Sequence, residues 1–316
     1  MTNDESELRW HPLLRQWVAV AANRQHRPQM PADWCPFCPG SGRVPDNYDV
    51  YLYPNDFAAL RQDSEPFAPH EELFATTGAR GSCDVVLYSP EHTLPPSKLT
   101  VEQWGKVVGL WRKRSGELMS REDVAYVAVF ENTGVAIGVT MPHPHGQIYS
   151  FPFLPPLVER EMESASSYFG EHGKCLYCEV LTGELKDGAR IVAENEGFVA
   201  FLPFYGRFPT EMNIYSRRHF GALEDLTEAE TGQLAAMLSE VRRKYDALYG
   251  TPMPLMMLVR QRPAREKAEW FHFHIDFLPI QRSETKLKYL AAVESGCGTF
   301  LNDTRAEEMA VRLRKA

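Results

Sequence analysis

The stretch Cys35-Pro36-Phe37-Cys38 is met again as Cys175-Leu176-Tyr177-Cys178, and the residues after each pair decide the fold. After the first comes His92, in Ser-Pro-Glu-His. After the second comes His219, in Ser-Arg-Arg-His. A threonine follows each histidine by eight residues, Thr100 and Thr227. Both open a capping-box pattern, Thr100-x-x-Gln103 and Thr227-x-x-Glu230, in which each side chain satisfies the other residue's free backbone N–H. Apolar residues then recur at helical spacing, Trp104, Val108, Trp111 and Leu118 in one copy and Leu234, Met237, Val241, Tyr245 and Leu248 in the other. A β-rich run follows each helix, Val124 to Phe130 and Leu255 to Val259. Each copy closes on a His-x-His pair, His143/His145 and His272/His274. Agreement of so many features in one order marks an internal duplication.

This pattern predicts an α+β fold built from two copies of one unit, over residues 1–155 and 170–282. A helical segment near Pro156 to Tyr168 joins them, and a tail runs from Ser283. With the connector in the first domain and the tail in the second, the domains are 1–169 and 170–316. Further short strands are expected at Trp17 to Val20, Val85 to Tyr88, Ile191 to Ala193 and Met212 to Tyr215. Runs of strands around one long helix per copy favour mainly antiparallel sheet over a doubly wound one.

Composition fits this reading. The 316 residues suffice for two domains at about 150 residues each, and 44% hydrophobic with 24% charged residues is ordinary for a globular chain. The 34 basic and 42 acidic residues leave a net charge of −8, against general nucleic-acid binding, which needs a surplus of Lys and Arg. A small nucleotide held by a few local cations remains compatible. Met1 to Glu7 is polar and acidic, unlike a signal peptide, and apolar runs such as Val124 to Phe130 fall far short of the ~20 residues of a membrane span. A cytoplasmic location is expected.

In a reducing compartment a Cys-x-x-Cys pair reads as metal binding or redox chemistry before it reads as a disulfide. The repeat supplies Cys35, Cys38, His92 and His143 as one set of four ligands, and Cys175, Cys178, His219 and His272 as a second. Two thiolates and two imidazoles are a donor set that tetrahedral zinc takes. Two alternatives stay open: thiols buried as small hydrophobes, or both pairs meeting in one all-cysteine site. For Cys83 and Cys297, which have no matching partners, core packing is the default expectation. Zinc with four protein ligands has no open position, so catalysis is expected elsewhere.

The richest stretch runs from Phe130-Glu131-Asn132 through Gly134 and Gly138 to His143-Pro144-His145-Gly146-Gln147. A glycine-containing loop lets backbone N–H groups approach an anion. Alternation carries His145 and Gln147 onto one side of the chain. An imidazole beside such a loop suits attack on phosphorus: it is neutral near pH 7, and a carbonyl on one nitrogen leaves the other nucleophilic.

His143-Pro-His145-Gly-Gln147, with Glu131-Asn132-x-Gly134 before it, resembles the signature of the galactose-1-phosphate uridylyltransferase family within the histidine-triad superfamily. The likeness spans most of the chain: Trp17-Val18 to Arg24-x-x-Arg27-Pro28, Asn55-Asp56-Phe57, Ala79-Arg80-Gly81, Ser89-Pro90-x-His92, and Phe277-Leu-Pro-x-x-Arg-Ser-x-Thr-x-x-Lys288. It implies two histidine-triad-like units and a double displacement. His145 attacks the α-phosphorus of UDP-glucose and releases glucose 1-phosphate. Galactose 1-phosphate then takes the uridylyl group from the histidine. Gln147 stands where triad hydrolases carry a third histidine, and donates a hydrogen bond without supplying a proton. The resemblance makes Asn55, Asp56 and Phe57 uridine contacts and Thr140 a phosphate contact. Asn132 belongs to the same signature, and Arg24 and Arg27 offset diphosphate charge.

The same resemblance implies a homodimer in which Lys288 to Glu294 reaches the neighbouring subunit's sugar-phosphate site; Val293 stands where an aromatic is expected. It also implies a second metal, often iron, bound by a glutamate and three histidines. Glu161 takes the glutamate's place, but Leu255 to Gln261 lacks the expected histidine and Asp276 falls where another belongs. The repeat favours Cys175, Cys178, His219 and His272 for that second metal, with Glu161 the alternative ligand. Rival readings are an adenylyltransferase of the ADP-glucose phosphorylase type, a zinc-stabilised module that binds nucleotides without turnover, and a hydrolase, which Gln147 disfavours.

Overall fold

The computed structural model describes residues 6–27, 34–67 and 70–316. Pro28 and the N-terminal Met1 to Glu5 lie outside these. The chain forms β1 (Ser6–His11), β2 (Gln16–Ala21), β3 (Tyr51–Pro54), β4 (Thr76–Gly78), β5 (Ser82–Leu87), α1 (Val101–Met119), β6 (Tyr126–Thr133) and β7 (His145–Phe151). Then come α2 (Pro156–His172), α3 (Leu176–Asp187), β8 (Ile191–Glu194), β9 (Phe198–Phe201), β10 (Met212–Ser216), α4 (Glu228–Tyr249), β11 (Leu255–Arg260) and β12 (His274–Pro279). The tail adds α5 (Ala292–Cys297) and α6 (Ala306–Lys315). The fold is α+β, with antiparallel pairing in both sheets.

Nine strands share one sheet in the order β3-β5-β7-β6-β11-β12-β10-β9-β8. From the middle outward, β6, β7, β5 and β3 of the first unit mirror β11, β12, β10 and β9 of the second. The two units meet where β6 pairs with β11, Leu255 opposite Thr133 and Val259 opposite Val129. A separate sheet, β2-β1-β4, flanks the first unit.

Helices α1 and α4 lie side by side over one face of the large sheet. Trp104, Val108, Trp111, Leu118, Leu234, Met237, Val241 and Tyr245 are all buried there, and Leu248 packs against them. Thr227 and Glu230 form the complete capping box at the start of α4. At α1 only half of it forms: Thr100 accepts from the Gln103 N–H, while the Gln103 amide donates to the carbonyls of Asp49 and Tyr88. Along β7, Ile148 turns into the helix-side core, which leaves His145, Gln147 and Tyr149 on the opposite face.

Helix α3 is an element that the spacing does not predict. Cys175 is its N-cap residue and Gly188, in the left-handed region, ends it. After Cys38, Pro39-Gly40 stops any such helix, whereas after Cys178 no proline intervenes before Gly188. Cys83 is buried as expected, but Cys297 is exposed at the end of α5, because the tail there is a short surface helix rather than core. Among the described residues no helix is long and apolar enough to cross a membrane.

Candidate active site

Both predicted ligand sets converge, and each set holds its donor atoms within 4.8 Å of one another. In the first, His92 Nδ1 lies 3.3 Å from Cys38 Sγ, and His143 Nδ1 lies 3.8 Å from the sulfurs of both Cys35 and Cys38. The far nitrogen of His143, Nε2, is 2.7 Å from the Ser89 carbonyl and 2.9 Å from the Tyr48 hydroxyl, which itself donates to the Phe37 carbonyl at 2.8 Å. A carbonyl partner places the proton on Nε2 and leaves Nδ1 bare towards the sulfurs. Burial pushes His143 down to about 4, which keeps the imidazole neutral, as a ligand must be.

The second set repeats this design. Cys178 Sγ is 3.3 Å from Nδ1 of both His219 and His272. His272 Nε2 lies 2.7 Å from the Ser216 carbonyl and 2.8 Å from its hydroxyl. Ser216 follows Ser89 by the same 127 positions that separate His219 from His92. Each Cys pair has its own histidines, so a single all-cysteine site does not form. The geometry and donor chemistry fit a metal of the zinc class at both places.

His145 opens β7. Its Nδ1 is 2.7 Å from the His143 carbonyl, so that nitrogen carries the proton and Nε2 is bare. The Phe37 ring lies 5.7 Å away, and burial pulls this imidazole below its ordinary range. The pocket in front of it has an apolar wall of Trp34, Phe37, Val85 and Met141. Its polar side holds Arg27, Asn55, Asp56, Thr140 and Gln147. Gln147 Oε1 accepts from the Tyr149 hydroxyl at 3.0 Å, which turns the amide's NH₂ group into a donor for whatever enters. Arg27 donates to Thr140 Oγ1 at 3.1 Å, and Arg24 to the Phe57 carbonyl at 3.2 Å. Asn55 Oδ1 accepts from the Phe57 N–H at 2.9 Å, which fixes the turn.

Beside His145 a second cavity is lined by Glu131, Asn132 and the loop from Gly134. Gly134 and Gly138 hold φ of 93° and 81°, conformations that glycine adopts without strain. Lys288 and Glu294 line neither cavity. They are buried and paired at 2.9 Å, and Lys288 also donates to the Leu301 carbonyl. Sequence reasoning missed Tyr48, Arg43, Tyr53, Tyr149 and Trp34, isolated residues that only the fold brings to the site.

A family model described as galactose-1-phosphate uridyl transferase, N-terminal domain, matches residues 1–155, and its C-terminal companion matches 161–316. The chain belongs to the galactose-1-phosphate uridylyltransferase family. A galactose-1-phosphate uridylyltransferase from Thermotoga maritima is 39% identical over 98% of both chains. One from Haemophilus influenzae is 33% identical, over 97% of this chain and 93% of its own. A solved uridylyltransferase structure superposes with a TM-score of 0.90 at 32% identity, covering 98% of this chain and 97% of that one. An ADP-glucose phosphorylase from Arabidopsis thaliana, at 23% identity and a TM-score of 0.77, shares the fold.

The second unit has a counterpart of His145 in His274. His274 Nδ1 is 2.8 Å from the His272 carbonyl, and the Tyr177 ring lies tilted 5.1 Å from it, as Phe37 lies tilted 5.7 Å from His145. The space in front is filled. Arg260 Nε donates to Asp276 Oδ2 at 2.8 Å, its Nη2 is 3.6 Å from Glu161 Oε1, and Asn213 donates to Asp276 Oδ1 at 2.6 Å. A glutamate-and-histidine metal at Glu161 does not fit here, because a guanidinium already sits against both carboxylates.

Proposed function

We propose that the chain exchanges a uridylyl group between UDP-glucose and galactose 1-phosphate, by a ping-pong route through a covalent uridylyl-His145. The carrying observation is the imidazole itself, with its Nδ1 bound to the His143 carbonyl and its bare Nε2 in a pocket with one apolar and one polar wall. In the first half-reaction His145 Nε2 bonds to the α-phosphorus, and the bond from phosphorus to the oxygen of glucose 1-phosphate breaks with its electron pair. The His143 carbonyl holds the Nδ1 proton while the ring gains positive charge. Gln147 donates to a non-bridging oxygen as charge builds there, and Arg27, with Thr140 beside it, meets the phosphate. Galactose 1-phosphate reverses the step. Gln147, a neutral amide, is no base that could take a proton from water and turn it on the intermediate.

Asn55, Asp56 and Phe57 are assigned to the nucleoside, Asn132 and the Gly134 loop to the sugar-phosphate side, and Arg24 to bracing the wall. Cys35, Cys38, His92 and His143 would hold one zinc ion, and Cys175, Cys178, His219 and His272 a second. When bound, zinc supplies a cross-link that fixes these chain segments. The tail around Lys288 to Glu294 is assigned to a partner subunit's site in a homodimer, with the Lys288–Glu294 pair bracing that tail from within, and the enzyme to the cytoplasm.

Intact-protein mass spectrometry after brief mixing with UDP-glucose, UDP-galactose or ADP-glucose tests the reading. A uridylyl increment is expected that galactose 1-phosphate discharges and that His145→Ala lacks. An adenylyl increment would instead place the chain with the phosphorylases. No increment from folded, metal-loaded protein would leave a binding module.

A further inference from the structure

Asp56 is the one acidic residue among the described residues that line the pocket before His145, and both its oxygens are held by side chains behind it. The Tyr53 hydroxyl donates to Oδ2 at 2.7 Å, and Arg43 Nη2 donates to Oδ1 at 2.5 Å. Arg43 also donates to the Tyr53 oxygen from Nε at 3.1 Å and from Nη2 at 2.7 Å, which closes a triangle. Tyr53 is itself fixed: it is 4% exposed, and its ring meets Phe37 edge-on at 5.3 Å. The Asp56 side chain keeps 40% of its surface. An aspartate that open would ordinarily sample rotamers in water; here a buried phenol and a guanidinium fix it.

We propose that Arg43 and Tyr53 are positioning residues that hold the Asp56 carboxylate as a receptor for the ribose diol, and so make the enzyme select ribonucleotide over 2′-deoxyribonucleotide donors. This rests on the uridylyl-transfer reading. A carboxylate in a nucleotide pocket repels phosphate, so it must meet hydrogen-bond donors. Each oxygen gives one lone pair to the clamp and keeps another. Two adjacent hydroxyls offer two donors to two fixed oxygens. Uracil offers one N–H between two carbonyls, which would face the second carboxylate oxygen with like charge. The apolar wall of Trp34, Phe37 and Val85 suits the base, and Arg27 with His145 fixes the phosphate end.

The test compares kcat/KM for UDP-glucose and 2′-deoxy-UDP-glucose in the wild-type protein, Tyr53→Phe, Arg43→Met and Asp56→Asn, with the covalent adduct followed by mass. Wild type is expected to favour the ribose donor by roughly 10- to 100-fold, the worth of a hydrogen bond to a charged group. Each variant is expected to bring that ratio to within about threefold, because the ribose donor loses both hydroxyl contacts with a fixed carboxylate while the deoxy donor, which has only its 3′-hydroxyl there, slows less. Tyr53→Phe combined with Asp56→Asn should be no worse than either alone. If the variants slow both donors equally, or change neither, the clamp only braces the wall and the proposal fails. Absence of an adduct with either donor in wild type would overturn the uridylyl reading instead.

Discussion

Arg242 of α4 and Glu131 of β6 face each other at 3.1 Å across the two units of the chain, both almost wholly buried. Arg242 also donates to Thr133 Oγ1 at 3.0 Å. The second unit thus supplies the counter-charge beneath the strand that leads to the glycine loop and His145.

Arg242→Met would leave the Glu131 carboxylate buried without its partner. A loss of about 3–5 kcal/mol is expected, read from the urea midpoint at fixed zinc. Adding Glu131→Gln should restore most of it, since the neutral amide tolerates the site. A loss under about 1 kcal/mol would show that the pair is not what holds β6.

Gly146 has no room for a side chain. A Cβ there would sit 2.2 Å from the Tyr88 hydroxyl oxygen and 3.1 Å from the Phe130 carbonyl. Gly146→Ala is expected to cost about 1–3 kcal/mol and to displace both neighbours in the sequence, His145 and Gln147, with loss of turnover. Tyr88→Phe in the same chain should recover part of the melting temperature, because the nearest ring carbon then lies at 3.0 Å. No recovery would mean that the backbone at Phe130 decides the clash.

Elemental analysis checks the metals. Two zinc equivalents per chain are expected; Cys35→Ser and Cys175→Ser should each remove one. Only the first should abolish the His145 adduct, because only it frees His143. Glu161→Gln should leave the count unchanged. A metal lost with Glu161→Gln would overturn the assignment of Arg260 as the cation at that place.

Arg218, against the pull of burial and with help from the Thr227 N–H and hydroxyl, holds the Glu230 carboxyl at about 2, well below its ordinary 4.5. A depressed carboxyl stabilises the fold above its unfolded pKa and loses that contribution as pH falls through the folded one. The stability difference between wild type and Glu230→Gln should therefore be about 1–2 kcal/mol near pH 6 and shrink between pH ~4.5 and ~2. A difference flat over that range would show that the charge of Glu230 is idle.

The convergence of the two Cys/His sets and the long helices α1 and α4 are the legible part of this sequence. Sulfur and imidazole are few, and Cys-x-x-Cys already places two donors on one turn. Trp104 to Leu118 and Leu234 to Tyr245 declare their buried faces by period alone. The pairing of β6 with β11 is not legible, since Val127-x-Val129 and Leu255-x-Met257 alternate as any strand does and name no partner. The Arg43–Tyr53–Asp56 triangle stays hidden for a similar reason: its side chains meet through turn geometry, which residue types do not encode. In the sequence Arg260 shows only as a missing histidine, because a guanidinium in place of a metal leaves no spacing signature.

The single sheet, continuous through β6 and β11, gives the chain the arrangement of a dimer whose two copies are tied together. In a true pair of identical chains every substitution is made twice, and closing one pocket closes both. Tied together, the copies are free to diverge. One keeps an open cleft before His145 while the other spends the same cleft on Arg260, Asp276 and Glu161. A symmetric ancestor would have to trade reactivity against rigidity at one address; this chain assigns them to different ends of one polypeptide.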